Sequence, residues 1–174
     1  RHYLRHYLCI IYSLGRKKTY MRVLITGATG FVGAHLLDEL AKQHQLVILT
    51  RNSKAAKEKL KVNAEYFEWD IPNDVKTNPN SNVQNAVKGV EAIIHLTGEN
   101  IIKRWTHKHM QNIYDSRIQT TQKLVKAIIA SPQSKPPVFI SASAVGYYGD
   151  RKNVVLVEDS ASGSDFLAQV CHDW

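Results

Sequence analysis

The chain has little cysteine and no long hydrophobic run. Its 174 residues include two cysteines, Cys9 and Cys171, which are far apart and have no motif spacing. This excludes a disulfide framework and suits a reducing cytoplasm, which is the location we expect. The apolar stretch 8–14 is too short to span a bilayer and lacks a small-residue cleavage site. The sequence therefore predicts neither a membrane partner nor a signal peptide.

Acidic residues are absent from residues 1–20, although the whole chain has a formal net charge of +8. Five of those charges lie in this segment, and the remaining +3 is ordinary for a soluble domain, which argues against nucleic acid as a partner. The segment either binds an acidic surface or stands outside the folded domain. Met21, directly before the first predicted strand, favours the second interpretation. Residues 21–174 then form one domain, and the chain's 44% hydrophobic content suffices for its core.

Strand and helix patterns alternate along this domain. The predicted strands are 23–26, 45–50, 64–69, 91–96 and 138–141, and the predicted helices are 31–43, 54–60, 83–87, 106–130 and one capped by Ser164 or Asp165. Such alternation produces an α/β fold, a doubly wound parallel sheet with helices on both faces, in the order 3-2-1-4-5. The chain stops at Trp174 inside a helical pattern without a closing glycine, so we expect it to be truncated.

A glycine-rich turn joins the first strand to the first helix. Residues 26–33 read TGATGFVG between an apolar strand and an amphipathic helix. Gly27 lets the chain turn off the strand, Gly30 removes a side chain where a phosphate must approach, and Gly33 lets the helix pack closely on the strand. The free N–H groups of the helix start would face the anion. This context predicts a site for a dinucleotide pyrophosphate, against the alternative of a tight turn without a ligand.

Arg51 follows the second strand, where an acid would bind the ribose 2′-hydroxyl of NAD. A guanidinium instead fits a 2′-phosphate, which favours NADP(H) over NAD(H) as the cofactor. The alternative is a solvated surface arginine. After the third strand, Asp70 is expected to accept the adenine amino group beside Ile71, or to cap a helix or turn.

The ends of strands four and five border the same crevice in such a fold. Small residues after His95 would let the backbone approach the nicotinamide side, and His95 itself is expected to be packed in its strand. Residues 98–106 either line the substrate side or, through Trp105, anchor the long helix. The complete predicted cofactor-binding set is Gly27, Thr29, Gly30, Phe31, Val32, Gly33, Arg51, Asp70, Ile71, Leu96, Thr97 and Gly98.

Ser143, Tyr147 and Tyr148 are the predicted catalytic residues. They follow strand five, so their hydroxyls would lie at the mouth of the crevice. Such groups can move a proton to or from a substrate oxygen during hydride transfer. The alternative is a strand end followed by a tyrosine-glycine turn. We found no motif for a bound metal.

Several motifs occur together in a specific order. They are the glycine turn, HLTGEN at 95–100, RWT at 104–106, SRI at 116–118, SASAVGYYG at 141–149 and DFLA at 165–168 with Trp174. From residue 21 to 174 the chain closely resembles the epimerase-family proteins, atypical or extended short-chain dehydrogenase/reductases related to nucleotide-sugar epimerases and dehydratases. The resemblance implies a Rossmann domain that binds NADP(H), a small-molecule substrate such as a nucleotide-sugar or carbonyl compound, and a smaller substrate domain further along.

The sequence departs from this pattern at two places. Ser143 matches the catalytic serine of extended members, but the helix that should carry their Tyr-x-x-x-Lys motif, 165–174, has neither tyrosine nor lysine. Arg117 also stands where a structural asparagine is common. Any activity must therefore use other groups, such as Tyr147 or Tyr148. Two hypotheses follow: an NADP-dependent oxidoreductase or epimerase with atypical catalytic residues, and a cofactor-binding sensor or regulator without turnover.

Overall fold

The structure is a computed structural model that describes residues 20–69, 81–132 and 134–174. Most of the predicted extension 1–20, together with Asp70 and Ile71, lies outside the described residues.

Five parallel strands form one sheet at the centre of the domain. They are β1 (Arg22–Thr26), β2 (Gln45–Thr50), β3 (Glu65–Glu68), β4 (Ala92–His95) and β5 (Val138–Ser141). Their spatial order is β3-β2-β1-β4-β5, and every neighbouring pair is parallel. The predicted doubly wound order is confirmed. The chain reverses direction across the sheet between β1 and β4, the position where this type of fold opens a crevice.

The connecting segments contain five α-helices and one short 3₁₀ helix among the described residues. The helices are α1 (Phe31–Leu40), α2 (Ser53–Leu60), α3 (Asn82–Val87), α4 (His107–Ala130) and α5 (Phe166–Asp173), and the 3₁₀ helix spans Val145–Tyr148. The sequence pattern predicts that α1 continues to Gln43, but the helix ends at Leu40. The N–H groups of Gln43 and His44 both donate to the carbonyl of Leu40 and form a turn there. Of the two predicted caps for α5, the structure uses Asp165, whose carboxylate accepts from the N–H of Ala168 at 2.9 Å.

Alternate residues of the central strands supply two separate cores. One core joins Leu24, Val47 and Ile93 to α3 and α4, and it includes the fully buried Leu124. The other joins Ile25 and Ile48 to α1 on the opposite face of the sheet. Because side chains point alternately to the two faces of a strand, a strand buried on both faces must be apolar along its whole length. This requirement explains why the sequences of β1, β2 and β4 are nearly continuous hydrophobic runs.

Candidate functional site

A cleft of about 400 Å³ lies at the carboxyl ends of β1, β2 and β4. It is formed by the glycine turn after β1, the end of β2 and the loop after β4. The described residues that line it are Gly27, Thr29, Gly30, Leu49, Thr50, Arg51, Trp69, Leu96, Thr97, Gly98, Glu99, Asn100, Lys103 and Ser116. Seven of the predicted cofactor-binding residues therefore share one cavity. Open α/β sheets bind ligands at this position.

The three glycines of the turn occupy very different surroundings. Gly27 has a φ of +70°, and a Cβ placed there would lie 2.6 Å from the carbonyl oxygen of Leu96. At Gly33 a Cβ would lie 2.6 Å from the Cα of Ala28, so α1 contacts the turn directly. At Gly30 the nearest atom would be the Gly27 oxygen at 3.2 Å, and the residue is exposed beside the cleft. Gly27 and Gly33 are thus required by the fold, whereas Gly30 leaves free space at the cleft.

Among the residues that the structure describes, the first turn of α1 presents unpaired backbone donors next to this space. Gly30 is the N-cap and has no side chain to cap the helix, and the first helical hydrogen bond runs from Ala34 N–H to the Gly30 carbonyl at 3.0 Å. The N–H groups of Phe31, Val32 and Gly33 therefore precede the hydrogen-bond ladder of the helix. The side chains of Phe31 and Val32 are exposed and lie outside the cleft lining, so their cofactor contacts stay a prediction. The geometry suits a phosphate.

Arg51 lines the cleft at the end of β2, with its side chain exposed. Glu68, the last residue of β3, is an acid that does not line the cleft. Its carboxylate accepts from the N–H of Ser53 at 2.8 Å and from the Ser53 hydroxyl at 2.9 Å, and these hydrogen bonds lower the pKa of Glu68. The charge presented to a ligand at this end of the cleft is therefore the guanidinium. A guanidinium there can bind an anionic group.

The opposite wall contains residues that sequence reasoning did not assign to cofactor binding. Glu99, Asn100, Lys103 and Ser116 line the cleft beside Thr97 and Gly98. The Nζ of Lys103 lies 2.7 Å from a carboxylate oxygen of Glu99. The sequence predicted that residues 98–106 either line the substrate side or, through Trp105, anchor the long helix, and it assigned only Gly98 of this segment to the cofactor. The available signal was their position directly after β4, since loops at strand carboxyl ends form such walls.

Trp69 is another residue of the cleft that the sequence did not predict. It was assigned to the third strand, yet its buried side chain lies against the cleft. Its indole Nε1 has no hydrogen-bond partner among the residues that the structure describes.

Ser143, Tyr147 and Tyr148 do not line the cleft. Ser143 is exposed after β5, and the two tyrosines lie in the 3₁₀ helix with their rings edge-on at 5.2 Å. Tyr148 instead lines a separate pocket of about 330 Å³ that includes Arg151 and Asp165. Within the described part of the chain, the three hydroxyls form no hydrogen bond with one another. Their catalytic role stays a prediction.

Arg117 is half-buried between the loop after β4 and the last helix. Its Nη1 donates to the carbonyls of Glu99 and Ile113 at 3.2 and 3.1 Å, and its guanidinium lies 5.2 Å from the ring centre of Trp174. A Cβ on Gly98 would lie 2.9 Å from this guanidinium, so the glycine leaves room for the Arg117 side chain in its present position. Arg117 therefore connects the cleft wall to α4 and α5.

Trp105 also connects the loop to the end of the chain. Its Nε1 donates to the Ile101 carbonyl at 3.0 Å, and its ring contacts Phe166 of α5 edge-on at 5.8 Å. It does not line the cleft. These contacts give Trp105 a packing role, but with the loop and α5 and not with the long helix that the sequence suggested.

His95 is fully buried at the end of β4, as a packed strand residue should be. Its Nε2 lies 2.9 Å from the Thr121 hydroxyl, which itself donates to the Arg117 carbonyl at 2.7 Å. The proton therefore sits on Nε2, and Nδ1 accepts from the Thr26 hydroxyl at 2.7 Å. Burial lowers the pKa of His95 to about 4, so the imidazole is neutral at pH 7. His95 holds β1, β4 and α4 together.

The buried imidazole predicts a specific loss of stability in acid. An unfolded histidine protonates near its ordinary pKa of 6.5, whereas folded His95 resists protonation to about pH 4. Between these values the unfolded chain binds more protons, so His95 should lower the free energy of unfolding by about 3 kcal/mol as the pH falls. Urea unfolding of wild-type and His95→Asn full-length protein from pH 7 to 4 measures this. The stability difference between the two should shrink with falling pH, and parallel curves would contradict the expectation.

Comparison with known proteins places the chain in a family. The model of the NAD dependent epimerase/dehydratase family matches residues 23–168, most of the described domain. The chain belongs to this family. The α/β fold with a parallel sheet and a glycine turn after β1 is thus its NAD(P)-binding, Rossmann-type domain.

Curated relatives in the family support the same assignment. The epimerase family protein SDR39U1 homolog, chloroplastic, of Arabidopsis thaliana is 38% identical over 168 residues, which are 91% of this chain and 44% of the relative. The epimerase family protein YfhF of Bacillus subtilis is 36% identical over 156 residues, 88% of this chain and 48% of the relative. The chain spans about half the length of the curated relatives it matches.

Solved structures show the same fold. The human epimerase family protein SDR39U1 (isoform2) with NADPH superposes with a TM-score of 0.63 at 28% identity, over 88% of this chain and 47% of that one. UDP-glucuronic acid 4-epimerase from Bacillus cereus, in complex with UDP-glucuronic acid and NAD, superposes with a TM-score of 0.67 at 22% identity. The superposition covers 88% of this chain and 49% of that one.

The Arabidopsis relative is chloroplastic. In the described ranges of this chain, no helix has the length and apolar character needed to cross a membrane. The cytoplasmic location stays a prediction.

Proposed function

We propose that this chain binds NADP(H) in the cleft and belongs to an NADP-dependent oxidoreductase or epimerase that acts on a small molecule, such as a nucleotide-sugar or a carbonyl compound. The observation that carries the cofactor assignment is Arg51. It presents a guanidinium to the cleft where an NAD-binding domain presents an acid. The human family member with NADPH supports this choice, although other similar structures contain NAD.

Different residues of the cleft would bind different parts of the cofactor. The turn at Gly30 and the first N–H groups of α1 would hold the pyrophosphate, because they offer space and unpaired donors. Arg51 would bind the 2′-phosphate. The nicotinamide half of the cofactor would lie beside Leu96, Thr97 and Gly98. When bound, this half would supply hydride transfer. Asp70 and Ile71 remain proposed adenine contacts.

For proton transfer we propose Ser143, Tyr147 and Tyr148, which follow β5, the strand beside β4. Their hydroxyls can hold or move a proton at a substrate oxygen once a substrate spans from the nicotinamide end of the cleft to the 3₁₀ helix. The resemblance of the SASAVGYYG motif supports Ser143, which would match the catalytic serine of extended members.

A second candidate function is a non-catalytic NADP(H) sensor or regulator. Helix α5 carries no Tyr-x-x-x-Lys motif. The candidate hydroxyls also lie outside the cleft lining. Incubation of the full-length protein with NADPH and a panel of carbonyl compounds and nucleotide-sugars separates the two: cofactor oxidation or sugar isomerisation supports the enzyme, and tight binding without either supports the sensor.

Arg51 provides the direct test of the cofactor assignment. Wild-type full-length protein should bind NADPH more tightly than NADH in calorimetry. Arg51→Ala should remove about 1.5–3 kcal/mol of NADPH binding free energy, the scale of a charge-assisted contact, and leave NADH nearly unchanged. Lys54→Ala, an exposed neighbour that does not line the cleft, is the matched control. Equal affinities for the two cofactors, unaffected by Arg51→Ala, would refute the assignment.

A further inference from the structure

Three charged side chains line the cleft among the described residues: Arg51, Glu99 and Lys103. Arg51 stands at the end of β2, and the other two lie on the opposite wall, after β4. Glu99 and Lys103 form an ion pair with a nitrogen–oxygen distance of 2.7 Å. An anion is therefore built into the wall of a cleft whose other features suit phosphate groups.

The two members of this pair are held unequally. The Glu99 side chain is 23% exposed, and its residue is fixed to α4 on both sides: its N–H donates to the Ser116 hydroxyl at 2.8 Å, and its carbonyl accepts from Arg117. The Lys103 side chain is 60% exposed and belongs to an exposed loop segment. The ammonium can change partners at little cost, because its stem is long and solvated. The carboxylate stays in place.

Glu99 is negatively charged in this position. The hydrogen bond from Lys103 lowers the pKa of Glu99, and the charge of Arg51 across the cleft lowers it further, against the opposing effect of burial. A dinucleotide entering the cleft adds its phosphate charges near this carboxylate. Like charges in a partly enclosed site repel each other, so the ligand must compete with Glu99 for the cations.

We propose that Glu99 and Lys103 form an exchangeable ion pair that sets the affinity of the cleft for the cofactor. This inference rests on the proposed NADP(H) site. When the cofactor binds, the ammonium of Lys103 moves from the Glu99 carboxylate to a cofactor phosphate. The phosphate thus replaces Glu99 as the ion-pair partner of Lys103. Glu99 thereby weakens cofactor binding, whereas Lys103 strengthens it. The pair is a determinant of affinity separate from Arg51.

Calorimetric titration of the full-length protein with NADPH tests both roles. Glu99→Gln should tighten NADPH binding about fivefold, the scale of one partly exposed charge pair, and Lys103→Met should weaken it about fivefold. Both effects should shrink at high ionic strength. Glu39→Gln is the matched control: Glu39 pairs with Lys42 at 2.8 Å on the exposed side of α1, outside the cleft lining, and its removal should change nothing.

The double variant measures the exchange itself. If Lys103 is shared between carboxylate and phosphate, Lys103→Met should weaken NADPH binding more in the Glu99→Gln background than in the wild type, because the lysine is then free for the phosphate. Additive effects would overturn the exchange, and so would unchanged or weaker binding by Glu99→Gln. Failure of the proposed function looks different, since wild-type protein would then not bind NADPH at all. Tight wild-type binding that neither variant alters overturns the ion pair's role alone.

Discussion

Gly33→Val is expected to destabilise the domain by about 3 kcal/mol, at the upper end of the cost of overpacking. Gly33 is buried, and a Cβ there would lie 2.6 Å from both the Cα of Ala28 and the carbonyl oxygen of Gly27. These neighbours are backbone atoms of the turn, so no flexible side chain can move aside. Helix α1 would have to move away from β1, and its contacts in the core through Leu37 would loosen. Urea unfolding of the full-length variant measures the loss.

Gly30→Val is the matched control for stability, because it places the same side chain in the same turn. The backbone of Gly30, with φ −76° and ψ 174°, is open to any residue, and its Cβ would lie 3.2 Å from the Gly27 oxygen. This contact is tight but involves one atom. A Gly33→Val midpoint equal to that of Gly30→Val would show that α1 does not depend on the glycine.

Gly30→Val is expected to abolish NADPH binding while the domain stays folded. The valine would fill the cleft at the start of α1, where the pyrophosphate must approach the unpaired N–H groups. Loss of two charge-assisted hydrogen bonds weakens binding by more than about 100-fold. Calorimetry with NADPH measures the affinity, and thermal unfolding checks the fold.

Gly30→Ala adds a graded comparison, since its single methyl group fills less of the same space. We expect an affinity between those of wild type and Gly30→Val. Native NADPH affinity in Gly30→Val would place the cofactor somewhere other than this turn, and would count against the proposed site as a whole.

The strands and the first turn could be predicted because their signals are local, and the order of the sheet then followed from right-handed crossovers and the position of the glycine turn. A strand buried on both faces must be apolar along its length, and an amphipathic helix repeats every 3.6 residues, so short windows suffice. Helix ends were less predictable. The stop of α1 at Leu40 depends on a backbone turn that closes on Leu40, and the 3₁₀ helix at Val145–Tyr148 has too few residues to show a period.

The contents of the cleft could be predicted only in part. The glycine turn, Arg51 and residues 96–98 were found because they follow strands directly, and strand ends share one edge of a doubly wound sheet. Ser116 comes from the middle of α4, and Trp69 follows β3 as a core residue. Their presence in the cleft depends on how helices and loops pack, and the sequence around each residue does not indicate that packing.

By itself, the sequence determined the strands, the helices and the glycine turn at the end of β1, because periodicity and backbone freedom act over a few residues. Their alternation and the handedness of the crossovers then determined the parallel fold and the strand order. Only the tertiary structure decided which charges meet in the cleft and that Ser143, Tyr147 and Tyr148 lie outside its lining. The 3₁₀ helix is held by the N–H of Gly163, which donates to the Tyr147 carbonyl at 2.8 Å. Such contacts join residues distant in the chain, and packing free energy, not local preference, selects them.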